Sequence, residues 1–551
     1  MNQGALLLAL FSICSQVLGL VRDRALAHYF GPSETLDVYY AAFRIPDFLY
    51  NSFASLVAVT ALLPLLAGYL KSHRGDDARA HFRDFSHSLF TVFITAMVVV
   101  CGGAFLLMKP LSFVVAPGFT EAQRELFMTL SRILLLSPIF LGLSNLFGSF
   151  SQAQKKFYAF ALAPVFYNAC ILVGIFLIRP TVGITGVVIG AILGTVVHMS
   201  LQLPTLFRLG IYPALTLRPD FSFILKVCRT SISRTVSLSL SSITILVMGA
   251  LASLLAAGSV SIFNFSYNIQ TTPFYIVGIS YAVAAFPILS RFYAEEKRKE
   301  FLEVIYKAAK NIFFFSIPLS LLFIVLRAQI VRVLLGSGQF SWNDTRLVAA
   351  SLALFSLSIA AQSMVLLLSR SFYAMGDTKT PLRLNSVSVL ITGSVAALLL
   401  WLYNSSLSFQ YFAESLLRLD GIVGSAVIVL PLSFSIGQII NACLLWGVFT
   451  KRWKKLGTGV EDLRRMLLHI CAAGILGAGV AYLALQVLSY ATRPDTLLGI
   501  FIQGLLAGIL GAAAYLGVIR LLDHNELKNM VIVITSKFWK QRPVAPEQPK
   551  L

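Results

Sequence analysis

Residues 16–51 read QVLGLVRDRALAHYFGPSETLDVYYAAFRIPDFLYN, and Arg22, Asp23, Asp37, Arg44 and Asp47 stand in or against segments apolar enough to cross a membrane. A charge at the centre of an isolated membrane helix costs roughly 2.5–3.5 kcal/mol on insertion scales, so such residues face a watery interior or pair with each other. Arg44 and Asp47 lie well inside the second apolar run. The stretch therefore reads as the wall of an internal cavity that binds something charged. A plainer reading makes Arg22, Asp23 and Arg24 a solvated turn at the bilayer edge and Arg44 with Asp47 a simple ion pair.

The chain around this stretch has the composition of an integral membrane protein: 551 residues, 57% hydrophobic and 12% charged, with a mean hydropathy of +0.80. Apolar runs of about 20 residues recur along its whole length, as helical spans require and barrel strands do not. The net charge of +20 does not form a basic face for nucleic acid, because Lys and Arg gather in every second loop. The cysteines, Cys14, Cys101, Cys170, Cys228, Cys443 and Cys471, stand singly in or beside apolar spans and read as small packing residues. The opening MNQGALLLALFSIC lacks a basic n-region and a cleavage site and reads as the first permanent span.

Hydropathy and breakers give about fourteen spans, roughly 5–27, 36–70, 87–113, 127–151, 158–178, 183–207, 224–256, 261–291, 308–335, 347–373, 384–403, 421–450, 466–490 and 497–522. The basic residues fall mostly in loops after even-numbered spans, such as Arg291, Lys297, Arg298 and Lys299, which places both termini in the cytoplasm. A repeat lies under the apolar background. The run 42–70 resembles 267–293, APGFTEAQRELF (116–127) recurs as GSGQFSWNDTRLV (336–348), and 147–164 pairs less closely with 368–381, at offsets of about 221–225. GITGVVIGAILG (183–194) pairs with GIVGSAVIVLPL (421–432) at an offset of about 238, because of an insertion near 403–420. Two six-helix halves in parallel orientation follow, an architecture of transporters that rock two lobes about a central site. The domains expected are an N-terminal lobe (1–208), a C-terminal lobe (209–455), two further helices (456–525) and a cytoplasmic tail (526–551).

No catalytic pattern is present: there is no Walker motif, GxSxG or HExxH, and no extramembrane segment large enough to hold a substrate. The chain is expected to be no enzyme and to hold neither metal nor cofactor.

The segments SQVLGLVRD (15–23), YFG (29–31), AFRIP (42–46), APGF (116–119), GSVS (258–261) and above all FYAMGDTKTP (372–381) resemble the MurJ, or MviN, lipid II flippase family, which is related to the MATE exporters. The resemblance spans nearly the whole chain. It implies a bacterial inner-membrane protein of fourteen helices in two six-helix lobes, with the last two helices bordering a lipid groove. It also implies a cationic cavity that flips a polyprenyl-pyrophosphate-linked peptidoglycan precursor by alternating access. Arginine forks suit a pyrophosphate because they bind its oxygens in pairs. Arg22 and Asp23 match the family's R-D pair, and Asp37 and Arg44 match an acid and a base of its second helix, whereas Gln16, Asn51 and Ile269 stand where the family carries arginine.

The substrate-binding residues expected from this reading are Arg22 and Arg44 as anion-attracting charges, Asp23, Asp37 and Asp47 as their partners or as gates, and Gln16, Asn51, Asn268 and Gln270 as neutral donors and acceptors. The expected partners are the lipid-linked saccharide, membrane lipids and peptidoglycan-synthesis proteins. Coupling to the membrane potential or to a monovalent cation is left open. The alternatives are a flippase for another lipid-linked polysaccharide unit, a MATE-like cation-coupled exporter and a non-transporting envelope scaffold.

Overall fold

A chain with this hydropathy must satisfy its backbone N–H and C=O groups within each span, since the hydrocarbon offers no partner, and the α-helix does so without a neighbour. The computed structural model describes residues 3–53, 76–153, 156, 158–208, 212–219, 239–240, 242–454, 460–491 and 496–522, and among these the regular structure is all helical. Ten described helices are long and apolar enough to cross a membrane, and the pair Trp342–Ser356 and Ile359–Ala374 is an eleventh when read as one broken span. These eleven coincide with eleven of the fourteen spans expected. The other three are 5–27, which lies in the helix Gln3–Phe30; 36–70, of which 54–70 is outside the described residues; and 224–256, described only at 239–240 and from 242 on. The exact number of spans is therefore left at these eleven plus the three partly described segments. The span expected over 36–70 differs in one respect: it is broken at Phe43 into the helices Glu34–Ala42 and Arg44–Phe53. Prolines enter helices without ending them at Pro164, Pro273, Pro287 and Pro318, and a π-helical turn, Tyr275–Ile279, directly follows the helix that carries Pro273.

The sequence repeat reappears as matching local structure. Thr120 caps the helix Glu121–Leu134 in a reciprocal box with Gln123, and Ser341 caps Trp342–Ser356 in the same way with Asp344. Each box satisfies two N–H groups that a helix start leaves orphaned. The glycine just before each box also behaves alike. A Cβ on Gly118 would collide with the Ser253 carbonyl, and one on Gly338 with the carbonyl of His28. Gly338 further sits at φ +59°, where a side chain is strained. Each half's loop thus seats on the end of a helix from the other half.

Contacts group the chain into two units. The first comprises Met1–Thr272, Val331–Ser358 and Gly376–Leu445. One of its cores gathers Met248, Ala252, Phe263, Phe355, Ala396, Leu400, Tyr403 and Phe434. The second comprises Pro273–Ile330, Ile359–Met375 and Trp446–Leu551, and in it Phe314, Met466, Ile470, Ala473, Tyr515 and Ile519 form a core. Small residues allow the two C-terminal helices, Val460–Ala491 and Leu497–Leu521, to touch: a Cβ on Gly477 would stand 2.7 Å from the Gly511 carbonyl. The Tyr515 hydroxyl donates to the Phe314 carbonyl at 2.8 Å, so a polar contact also holds the pair to the helix Arg298–Val325.

Candidate functional site

The helices Gln3–Phe30, Glu34–Ala42 and Arg44–Phe53 present the charges picked out by sequence, and most of these meet the first turns of the helix Ser259–Phe274 inside the first unit. Arg22 donates through Nε and Nη2 to Asp23 Oδ1 at 3.0 and 2.8 Å, and through Nη1 to Asn168 Oδ1 at 3.2 Å. Asn168 is held in turn by the Ser15 hydroxyl and carbonyl and the Pro164 carbonyl. The second oxygen of Asp23 accepts from Asn268 Nδ2 at 3.0 Å. Arg22 is thereby neutralised and its carboxylate partner is buried.

Asp37 is buried too, but its partners are backbone. Its Oδ2 accepts from the Gly258 N–H at 2.7 Å, and its Oδ1 accepts from the N–H and hydroxyl of Ser261 at 2.7 and 2.6 Å. A carboxylate from the first half thus caps the start of a second-half helix, where unpaired N–H groups and the helix dipole favour negative charge.

Arg44 opens its helix and is half-buried. Its Nη2 donates to Asn264 Oδ1 at 2.5 Å, while its Nε has no hydrogen-bond partner within the protein. Among the described residues it forms no ion pair with Asp47, contrary to the plainer reading of the sequence. Asp47 is exposed. Further along, Asn51 Nδ2 donates to Ser242 Oγ at 3.1 Å. Gln16 is exposed and stands apart from these contacts, and Gln270 and Ile269 are buried in packing. The described residues contain no cluster of His, Cys, Asp and Glu able to hold a metal ion.

Sequence reasoning had not picked out Asn168, Asn264 or Ser261. The signal for one of them was present: Asn264 and Asn268 are four apart in an apolar helix and therefore share a face. The site as a whole is a line of polar contacts joining first-half to second-half residues, with one incompletely satisfied guanidinium beside an open carboxylate.

The model of the family described as lipid II flippase MurJ matches residues 26–500. The chain belongs to the MurJ family. A lipid II flippase MurJ of Burkholderia cenocepacia is 25% identical over 452 residues, covering 80% of this chain and 82% of its own. A probable lipid II flippase MurJ of Vibrio cholerae is 26% identical over 513 residues, covering 88% and 95%. Among solved structures, a lipid II flippase MurJ in an inward closed conformation has a TM-score of 0.73 at 22% identity, over 95% of this chain and all of that one. An inward-facing MATE multidrug transporter has a TM-score of 0.64 at 15% identity, over 80% of this chain and 96% of its own. These likenesses establish the MurJ-type fold of a multi-pass membrane protein.

Proposed function

We propose that the chain is a lipid II flippase of the bacterial inner membrane, with both termini in the cytoplasm, that moves its polyprenyl-pyrophosphate-linked cargo without transforming it. The observation that carries the reading is the match of the MurJ family over residues 26–500. A division of labour is consistent with the contacts. Arg44 is the residue for the anionic headgroup: its half-buried guanidinium gives Nη2 to Asn264, its Nε is buried without a hydrogen-bond partner, and a planar fork of this kind suits a phosphate oxygen once a conformational change brings cargo to it. Asp37 and the Asp23–Asn268 contact latch the first-half helices to the second half, and transport requires that latch to open and close. The two repeat halves, 1–208 and 209–455, are the lobes that rock, and helices 13 and 14 border the lipid tail. The energy source is the membrane potential or a monovalent cation, with no bound cofactor, and peptidoglycan-synthesis proteins are the partners.

Expressed in a bacterium depleted of its own lipid II flippase, the chain is expected to restore growth. Well-inserted protein that gives no rescue would remove lipid II as cargo. Gln16, Asn51 and Ile269, standing at family arginine positions, would then favour a less anionic lipid-linked saccharide.

A further inference from the structure

The insertion that throws the repeat out of step, near 403–420, folds as the helix Leu407–Leu417, LSFQYFAESLL. In the first half the matching connection, between the spans Tyr158–Val182 and Ile184–Arg208, is the single residue Gly183. The extra helix is fixed on one side. Phe409 and Ala413 pack against the core that holds Leu400 and Tyr403. Its one charged residue, Glu414, points the same way and is 6% exposed. Glu414 Oε1 accepts from the Tyr403 hydroxyl at 2.6 Å, the Ser425 hydroxyl at 2.8 Å and Gln410 Nε2 at 3.0 Å.

The other side is open and carries no charge. Leu407, Tyr411, Phe412 and Leu416 are 65–70% exposed, and Ser408 and Ser415 lie between them at helical spacing. A helix face turned to water ordinarily carries Lys, Arg, Asp or Glu. Connectivity then says what covers it. The helix begins just after the span Lys379–Ser405 ends and closes a few residues before the span Ser425–Trp453 begins. At 1.5 Å per residue it is about 16 Å long. Tied at both ends to one bilayer face, it cannot rise far from it. Leu390, Leu398 and Trp401 on the preceding span are exposed as well, as side chains turned to lipid are.

We propose that the Leu407–Leu417 helix is a membrane-surface anchor, its uncharged half sunk in the headgroup and upper acyl region of the leaflet where these two spans are joined, and its buried Glu414 network locking that face outward. Tyr and Trp at such a boundary place their rings at headgroup depth. Lipid contact on this face is separate from cargo binding, because none of the charges of the candidate site lies on it.

The test uses the full chain with its six cysteines replaced by serine, in nanodiscs of phosphatidylethanolamine and phosphatidylglycerol that hold one copy each. An environment-sensitive fluorophore is attached in turn through Phe412→Cys, Ser415→Cys, Leu416→Cys and, as a reference beyond the helix, Asp420→Cys. The expected result is blue-shifted emission at the first three sites, quenching there by shallow doxyl-labelled lipid, and loss of quenching by aqueous iodide relative to Asp420→Cys. Ser415→Cys removes no packed side chain, so it reports even if the bulkier replacements misfold. Iodide access at all three equal to that at Asp420→Cys would overturn the proposal and leave the face to water, a second copy or a protein partner.

Discussion

The contact most open to a quantitative test is the cap that Asp37 places on the helix Ser259–Phe274. In Asp37→Asn one oxygen survives as an acceptor, and the other becomes an NH2 facing an N–H of Gly258 or Ser261. Leaving one buried donor unpaired costs about 1–3 kcal/mol. Removing the negative charge from a helix start costs about 0.3–1 kcal/mol more, up to ~2 kcal/mol where partly buried, and this carboxylate is buried. The contact should weaken by about 3 kcal/mol, on the order of a hundredfold in the equilibrium between the capped and opened arrangements. Hydrogen exchange read by mass spectrometry suits the measurement, because the amides of Gly258 and Ser261 are the donors themselves. Peptides covering 257–265 should exchange on the order of a hundredfold faster in the variant, by the same conversion. Peptides within Val460–Ala491, in the other unit, should not change. Growth rescue should fall in parallel, since the latch is then biased toward one state. Unchanged exchange over 257–265 in a well-folded variant would refute the reasoning and reduce the cap to a contact with no energetic weight.

Three other outcomes follow from the same geometry. Arg44→Ala should abolish rescue while insertion stays normal, and Arg44→Lys should restore it only in part because the planar fork is lost; full activity of Arg44→Ala/Asp47→Ala, where either single change is inactive, would show a structural pair instead. Gly118→Ala must displace the backbone of Ser253, so a loss of about 1–3 kcal/mol, typical of overpacking, is expected in thermal unfolding of the purified protein; an unchanged melting temperature would contradict it. Burial alone would raise the Glu414 carboxyl, but hydrogen bonds from Tyr403, Gln410 and Ser425 outweigh it and hold the group below its ordinary value of 4.5. A carboxyl lowered in the folded state stabilises at pH above its unfolded pKa and loses that contribution as pH falls through the folded one. Protease protection of 406–424 should therefore weaken only in acid below about pH 4.5, and Glu414→Gln should flatten that dependence.

The fold was readable because its two strongest signals survive any detail of packing. Span length follows from bilayer thickness, and the repeat is kept in order by turns and caps, so Thr120 with Gln123 and Ser341 with Asp344 recur at matching places in the two halves. The break at Phe43 was not readable. It lies inside an apolar run, and hydropathy averages over it where backbone geometry does not. The site was readable in its residues and not in their partners. In a membrane helix that is apolar on nearly every side, the periodicity that would tell one face from another is weak, and so Asn268, which meets Asp23, and Gln270, which is buried in packing, looked alike.

The same stretch shows why charge type alone could not assign the roles. Asp37 and Asp47 are both carboxylates within a short apolar segment, yet the structure uses them in opposite ways. Asp37 is oriented by the turn at Gly31 and Pro32 and by the Ser33 cap, which aim it across at the other half; there it gives up its solvation for three hydrogen bonds. Asp47 lies in the first turn of a helix restarted after Phe43 and stays exposed. Asp37 thus meets a helix start of the other half, while Asp47 stays exposed one turn beyond the half-buried Arg44. Keeping a partly unsatisfied guanidinium costs stability that closer packing would recover. That unpaired Nε, beside an Asp23 and an Asp37 that are both fully engaged in hydrogen bonds, is the ground on which Arg44 is proposed for the cargo and Asp37 for the lobes.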